Sequence, residues 1–283
     1  MPDAPFSLTA LPDQSTRGRL LELAREVARS CGRLIVDERP AHLDVLATKS
    51  SPTDIVTTMD ARSEDLARRL LTHARPQDGL LGEEGLRSSS QTGITWLVDP
   101  IDGTVNYLYD IGYYSVSVAA VVGDPTQPGH WRPIAGAVLN PVTRELFSAA
   151  LDAGATLATP SGTRQLRASR QDDLAMALVG TGFNYVRDIR AGQGILVGEL
   201  LGVVRDIRGM SGAALDLCSV AAGRMDAYYE QGLHPWDIAA GWLVATEAGA
   251  LVTGLRTDHP DAAMTLAGSA GLVDKLRTLI RTV

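Results

Sequence analysis

Three observations predict a layered α+β fold, with an antiparallel sheet in the first half of the chain and alternating strands and helices in the second. Residues 113–122, 133–140 and 144–150 alternate apolar with small polar residues and are separated by tight turns at Pro125, Pro128 and Gly129 and at Asn140-Pro141. This is the pattern of antiparallel strands. Beyond about residue 154 helix-like and strand-like segments alternate, as layered packing requires. At 283 residues the chain exceeds a typical domain, so one large domain or two closely packed lobes accommodate it. The change of rhythm at 150–155 gives an N-terminal α+β lobe over 15–152 and a C-terminal α/β lobe over 153–283.

Taken in order, residues 1–14 contain Pro2, Pro5 and Pro12 with few apolar anchors and are expected to form a flexible arm. Over 15–38, Leu20, Leu23, Ala24, Val27, Cys31, Leu34 and Ile35 recur at helical spacing until Pro40 closes the segment. A polar stretch from Lys49 to Asp60 follows, where Pro52 and clustered Ser and Thr favour a loop leading into a helix over 60–73. Two readings of this stretch stand together: Lys49 and Asp60 face a site, or Asp60 caps the helix and Lys49 is solvated. Glu83 and Glu84 then lie between Gly82 and Gly85. Adjacent loop glutamates ordinarily face solvent, but the strand over 94–99 arrives soon after and can pair beside them. Residues 88–93 read as an exposed connector. In the second half the expectations are a strand at 174–181, a helix at 187–201, a strand at 203–207, a helix at 211–222 and a strand at 225–230. A helix at 236–248, strands at 251–253 and 264–267 and a helix at 269–282 complete the chain.

Chemistry concentrates in residues 96–107, Trp-Leu-Val-Asp-Pro-Ile-Asp-Gly-Thr-Val-Asn-Tyr. Asp99 ends an apolar strand whose extension Pro100 is expected to block, and Asp102 follows three residues on, before Gly103 and Thr104. In such a turn both carboxylates and the Ile101 carbonyl can point into one cavity, an all-oxygen donor set suited to magnesium or manganese. A helical turn starting at Gly103 would add amides that attract phosphate, and Thr104 would add a hydroxyl. Asp-Gly pairs are also common in hairpins, where the aspartate only caps; two aspartates around an apolar pair, followed by Gly-Thr, point instead to a metal-phosphate site. Asp237 opens a helix whose Ala239, Ala240 and Gly241 permit close packing, and capping alone accounts for it when it is taken by itself. His234 reads as a structural hydrogen-bonding residue.

Composition narrows the function. A net charge of -7 without any basic stripe argues against nucleic-acid binding. No apolar run approaches the roughly 20 residues that span a bilayer, and the N-terminus lacks the regions of a secretory signal. A cytoplasmic protein without a membrane partner is expected. Cys31 and Cys218 read as buried free thiols.

Residues 99–107 resemble the signature of the inositol monophosphatase family, within the lithium-sensitive, magnesium-dependent phosphatases. The similarity extends to residues 49–54 with Asp60, 82–85, 226–230 and 236–241, in the family's order, and covers about residues 20–280. It implies a layered αβαβα sandwich of the inositol monophosphatase and fructose-1,6-bisphosphatase type, with the active site between the lobes. The metal ligands it implies are Glu83, Asp99, the Ile101 carbonyl, Asp102 and Asp237, holding two or three Mg2+ ions, with Mn2+ as a substitute. The implied reaction is in-line attack of a metal-activated water on phosphorus. Glu83 would position and deprotonate that water, with Thr104 and Asp60 as further candidates for its activation and Lys49 as a site-loop candidate.

The resemblance also assigns phosphate binding to the Gly103 and Thr104 amides and substrate contacts to Ser211, Gly212, Ala213, Glu230 and Asp237. Glu230 matches the position that binds ring hydroxyls, a task suited to a carboxylate because it accepts from two neighbouring hydroxyls. Three departures occur: Ser211-Gly212-Ala213-Ala214 replaces the usual Gly, Ser or Thr and two alanines, Tyr107 replaces the commoner Phe, and Gly112 stands where many relatives carry Pro. The expected substrate is a small phosphate ester, myo-inositol 1-phosphate or a similar polyol phosphate. Fructose 1,6-bisphosphate, 3'-phosphoadenosine 5'-phosphate and histidinol phosphate are the alternatives, and a regulatory binding protein on the same fold is the alternative of another class. Relatives are usually dimers, so the resemblance implies a homodimer.

Overall fold

The structure, a computed structural model, describes residues 11–41, 45–48 and 55–282. Lys49, and with it most of the loop to Asp60, lies outside the described residues, as do residues 1–10 of the expected arm. Helix α1 (Gln14–Asp37) starts where the Asp13 carboxylate accepts the Thr16 N–H at 2.7 Å, and it buries Leu20, Ala24, Val27, Cys31 and Ile35 along one face. Strands β1 (Val45–Thr48) and β2 (Ile55–Thr57) pair antiparallel, and α2 (Thr58–Ala74) follows with Thr57 and Asp60 capping it reciprocally.

The main sheet comprises β3 (Gly79–Gly82), β4 (Arg87–Ser88), β5 (Ile94–Asp102), β6 (Ser115–Gly123), β7 (Trp131–Asn140), β8 (Glu145–Ala150), β9 (Ala155–Thr159) and β10 (Gly162–Gln165). Their order is β10-β9-β8-β7-β6-β5-β3-β4, and only β3 and β5 run parallel. The three strands expected over 113–150 are β6, β7 and β8, antiparallel neighbours as their alternation required. The sheet runs on past the lobe boundary expected at 152–153, because β9 and β10 carry it to Gln165. β10 is an exposed edge strand of Gly, Thr, Arg and Gln, so it has no apolar alternation by which to be read.

A short helix, α3 (Thr104–Leu108), joins β5 to β6. The second half contains β11 (Leu178–Thr181), α4 (Arg187–Leu201), β12 (Asp206–Gly209), α5 (Ala213–Ala221), β13 (Ala227–Glu230), α6 (Pro235–Glu247), β14 (Leu251–Thr253), β15 (Thr265–Gly268) and α7 (Ala270–Ile280). The strand expected at 203–207 lies at β12, because the Val203 and Val204 amides both bond the Leu200 carbonyl and finish α4. The smaller sheet has the order β12-β11-β13-β15-β14. Helices α1 and α2 cover one face of the main sheet, α5 and α6 fill the space between the sheets, and α4 and α7 cover the outer face of the smaller one. The result is an αβαβα sandwich.

Alternation along β13 sends Ala227 and Tyr229 to the outer core, and Tyr228 with Glu230 to the inner side. Close contact between α5 and α6 depends on Gly241, where a Cβ would lie 2.8 Å from the Leu217 Cβ. Cys31 and Cys218 are buried free thiols. Among the described residues no helix is long and apolar enough to cross a membrane.

Candidate active site

Pro100 does not stop β5. Asp99 pairs with Ser117 and Asp102 with Ser115, so three steps along β5 face two along β6. The extra residue is a β-bulge, and it turns Asp102 to the same sheet face as Asp99, which a regular strand would not do for residues three apart. Proline is tolerated there because a bulge needs no ladder bond from it. The strand ends at Gly103, whose φ of 90° lies in the left-handed region. A Cβ there would also lie 3.1 Å from the Ser211 and Tyr113 carbonyl oxygens.

Thr104 then opens α3, its hydroxyl 3.0 Å from the Ile101 carbonyl and 3.3 Å from Asp60 Oδ1. Asp60 Oδ2 accepts the Thr57 N–H at 2.8 Å and the Thr57 hydroxyl at 2.5 Å. The capping reading of Asp60 is thus seen directly: one oxygen caps α2, while the other reaches the Thr104 hydroxyl. Asp60 is fully buried behind Thr104 and does not itself line the cavity.

Asp102 joins the two halves of the molecule. Its carboxylate accepts the amides of Ala213 at 3.1 Å and Ala214 at 3.0 Å, and the Ser115 hydroxyl at 3.2 Å. It thereby caps α5, whose own N-cap residue, Gly212, has no side chain for that purpose. The exchanged order of Ser211 and Gly212 now has a structural description. Ser211 takes φ 60°, the region glycine favours, while Gly212 at φ -153° is in extended backbone open to any residue. Asn106 pins this segment by donating to the carbonyls of Met210 at 2.7 Å and Tyr113 at 2.8 Å.

A cavity of about 540 Å³ lies where these elements meet. Glu83, Asp99, Ile101, Asp102, Gly103 and Thr104 line it from the main sheet, and Ser211, Gly212, Ala213, Glu230 and Asp237 from the second half. Glu230 accepts the Tyr228 hydroxyl, and Gly182 leaves room for its carboxylate, which an added Cβ would overlap. Asp237 accepts the His234 N–H at 2.7 Å, and the His234 ring stacks on Trp236 with centroids 4.8 Å apart. His234 is thus a helix-cap residue, although it also borders the cavity. Sequence reasoning missed the wall formed by Phe183, Asn184, Tyr185 and Arg190. Phe183, Asn184 and Tyr185 lie on the link between β11 and α4 and Arg190 in the first turn of α4, where no motif marks them. Among the described residues Arg190 is the one Arg or Lys lining the cavity; Arg205 and Arg208 do not reach it.

Burial dominates the electrostatics. Asp99 is pushed well above the ordinary carboxylate range by burial, then by the charges of Glu83, Asp102 and Asp237. Asp237 is pushed up by burial and by Glu83, against the His234 amide. Asp102 is held at about 7 by burial, eased by the Ala214 amide and the Ser115 hydroxyl, and Glu230 reaches about 7 by burial against its bond from Tyr228. Among the described residues no three His, Cys, Asp or Glu side chains close on a single point as a preformed cage would. The chemistry of the donors is what fits a cation: oxygen only, hard, and mutually repelling, so ionising them together at neutral pH calls for positive charge between them.

Comparison with known proteins gives a consistent result. The sequence matches the inositol monophosphatase family over residues 17–280. It is 46% identical over 235 residues to the inositol-1-monophosphatase SuhB of Mycobacterium tuberculosis, covering 81% of this chain and 78% of that one. It is 34% identical over 242 residues to a Pasteurella multocida protein named Nus factor SuhB, covering 85% and 86%. The solved structure of Mycobacterium tuberculosis SuhB superposes with a TM-score of 0.79 at 39% identity, covering 94% of this chain and 97% of that one.

Proposed function

The chain belongs to the inositol monophosphatase family, and from that premise we propose that it is a Mg2+-dependent phosphomonoesterase acting on myo-inositol 1-phosphate or a similar polyol phosphate. The observation that carries this reading is the meeting of Glu83, Asp99, Asp102 and Asp237 in one cavity with the start of α3 on one side and Glu230 on the other. Glu83, Asp99, the Ile101 carbonyl, Asp102 and Asp237 would hold two or three ions. When bound, Mg2+, or Mn2+ in its place, supplies charge to the attacking and leaving oxygens.

The chain's own residues do the rest. Glu83 accepts the proton of the attacking water, and Thr104, backed by Asp60, orients that water. The Gly103 and Thr104 amides hold the phosphate oxygens. Water oxygen bonds to phosphorus as the ester P–O bond breaks, the departing alcohol oxygen takes up a proton from solvent water, and the proton accepted by Glu83 returns to solvent. Glu230, backed by Tyr228, accepts hydrogen bonds from two ring hydroxyls, while Ser211, Gly212 and Ala213 border the same space. Lys49 stays a site-loop candidate. With Arg190 as the one lining Arg or Lys among the described residues, a polyol monophosphate fits better than a bisphosphate or nucleotide.

A panel of phosphate esters with Mg2+ tests the reading. Phosphate release is expected to be fastest from inositol 1-phosphate and to be inhibited by Li+. Failure to release phosphate from any member, including fructose 1,6-bisphosphate, 3'-phosphoadenosine 5'-phosphate and histidinol phosphate, would overturn it. Such an outcome would favour a second reading, a regulatory binding role on the same fold, which the name of the Pasteurella relative supports. A homodimer, as the family resemblance implies, belongs to this reading, and sedimentation would test it. A cytoplasmic location is part of the same proposal.

A further inference from the structure

We propose that Glu64 is a positioning residue for the phosphatase reaction, gripping the turn that carries Glu83 so that the Glu83 carboxylate stays aimed into the cavity. The inference rests on the role given to Glu83 above. Glu64 lies on α2 and is only 7% exposed. Its Oε2 accepts the Glu84 N–H at 2.8 Å and its Oε1 accepts the Leu86 N–H at 2.9 Å. From the other side, the Gly82 N–H donates to the Leu86 carbonyl at 2.7 Å and the Glu83 N–H to the Val98 carbonyl at 3.3 Å. The turn at 83–86 is therefore tied to β5 at one edge and to α2 at the other.

Two further features show that the place is fitted to a carboxylate. An added Cβ at Gly82 would overlap the Glu64 carboxylate, so strand β3 ends in the one residue that admits it. The two amides present two donors side by side, and the carboxylate accepts each on a separate oxygen. Glutamine would accept one and turn its own NH2 toward the other. A residue present for packing alone would be apolar, because this buried carboxylate also stands beside the charges of Glu84 and Glu83. Glu64 does not line the cavity and so acts through the turn.

The test uses the full chain with Mg2+ and inositol 1-phosphate. Glu64→Gln should lower kcat about 10–100-fold, as loss of a partner that orients a ligand does, with KM changed less than about 3-fold and half-saturation by Mg2+ raised. Glu64→Asp should recover part of the loss. A merely structural role would not move these ratios in the folded fraction, nor would it be non-additive with Glu83→Gln. In the Glu83→Gln background, Glu64→Gln should cost less than about 3-fold more. Hydrogen exchange should show the Glu84 and Leu86 amides losing protection while those of α2 keep it.

A Glu64→Gln kcat within about 2-fold of the unmodified chain, or an equal loss in the Glu83→Gln background, overturns the proposal. If Glu64→Gln does not fold, Gly82→Ala, which displaces the carboxylate from the strand side, carries the same expectations and the same refutation. Absence of phosphate release from the unmodified chain sinks the phosphatase reading instead. Hydrogen exchange then decides the grip alone, and unchanged protection at Glu84 and Leu86 in Glu64→Gln removes it.

Discussion

Removing divalent cations and raising the pH should destabilise this protein in concert. Asp60 and Asp102 are each held at about 7, against an ordinary 3.8, chiefly by burial. A carboxyl that binds its proton more tightly in the folded chain than in the unfolded one contributes stability that is complete below the unfolded value. That stability is lost as the pH rises to the folded value. The window thus runs from about pH 4 to 7, and stability falls across it. One such group, moved about three units at 1.36 kcal/mol each, changes the unfolding free energy by about 4 kcal/mol. Asp124 and Glu145, held low by hydrogen bonds from Thr126 and Arg224, act at the acid end of this window and below it. Between pH 5 and 8 about two of those units are crossed, about 3 kcal/mol, so at about 2–4 °C per kcal/mol for a chain of this order of size, Tm in chelator should drop about 5–10 °C. Saturating Mg2+ should restore more of it at pH 8 than at pH 5, because the ionised carboxylates then have a counter-charge. Melting followed by calorimetry at half-unit pH steps, with EDTA or with Mg2+, reads both effects. A chelated protein whose Tm is flat or rising over the window refutes the repulsion argument, and an equal Mg2+ effect at both ends refutes its assignment to these carboxyls.

Further outcomes follow from single contacts. Asp102→Asn keeps one acceptor for the Ala213 and Ala214 amides but supplies no charge. Turnover should fall about 100-fold or more with far-UV circular dichroism unchanged, and retained activity would remove Asp102 from the reaction. Glu230→Gln should raise KM for inositol 1-phosphate about 10-fold, as loss of hydrogen bonds to a charged group does, with kcat little changed. An unaltered KM would take Glu230 out of recognition. Gly241→Ala should destabilise by about 1–3 kcal/mol in urea unfolding, because its Cβ would lie 2.8 Å from the Leu217 Cβ and 3.1 Å from the Ala214 carbonyl. An unchanged midpoint would show that α5 and α6 can part.

The rhythm of α1 was legible because it presents one buried face at helical period, whereas β6 to β8, buried on both faces, were legible as short runs of apolar and small residues between turn signals. Strands β9 and β10 were not: β9 is only five residues long, and β10, at the edge, is exposed along its whole length and has no apolar pattern. In the site, Asp99 to Thr104 announced itself through residue types that are otherwise hard to explain together. Pro100 misled, because a proline that ends a regular strand is also the residue a bulge accommodates. Glu64 was visible in principle. It stands four residues after Asp60 on the same stripe of α2 as the buried Met59, Ser63 and Ala67, where a carboxylate is out of place. What the sequence could not supply were the two amides it holds, because they come from a turn some twenty residues away.

The bulge in β5 adds one residue to the path between Asp99 and Asp102. Strand faces alternate, so deleting one residue at positions 100–101 would erase the bulge and leave two regular steps, with Asp102 still on the face of Asp99. What the extra residue adds is therefore not the facing of the two carboxylates but the bend of the chain between them. That bend brings the Ile101 backbone and Thr104 to the same cavity as both aspartates.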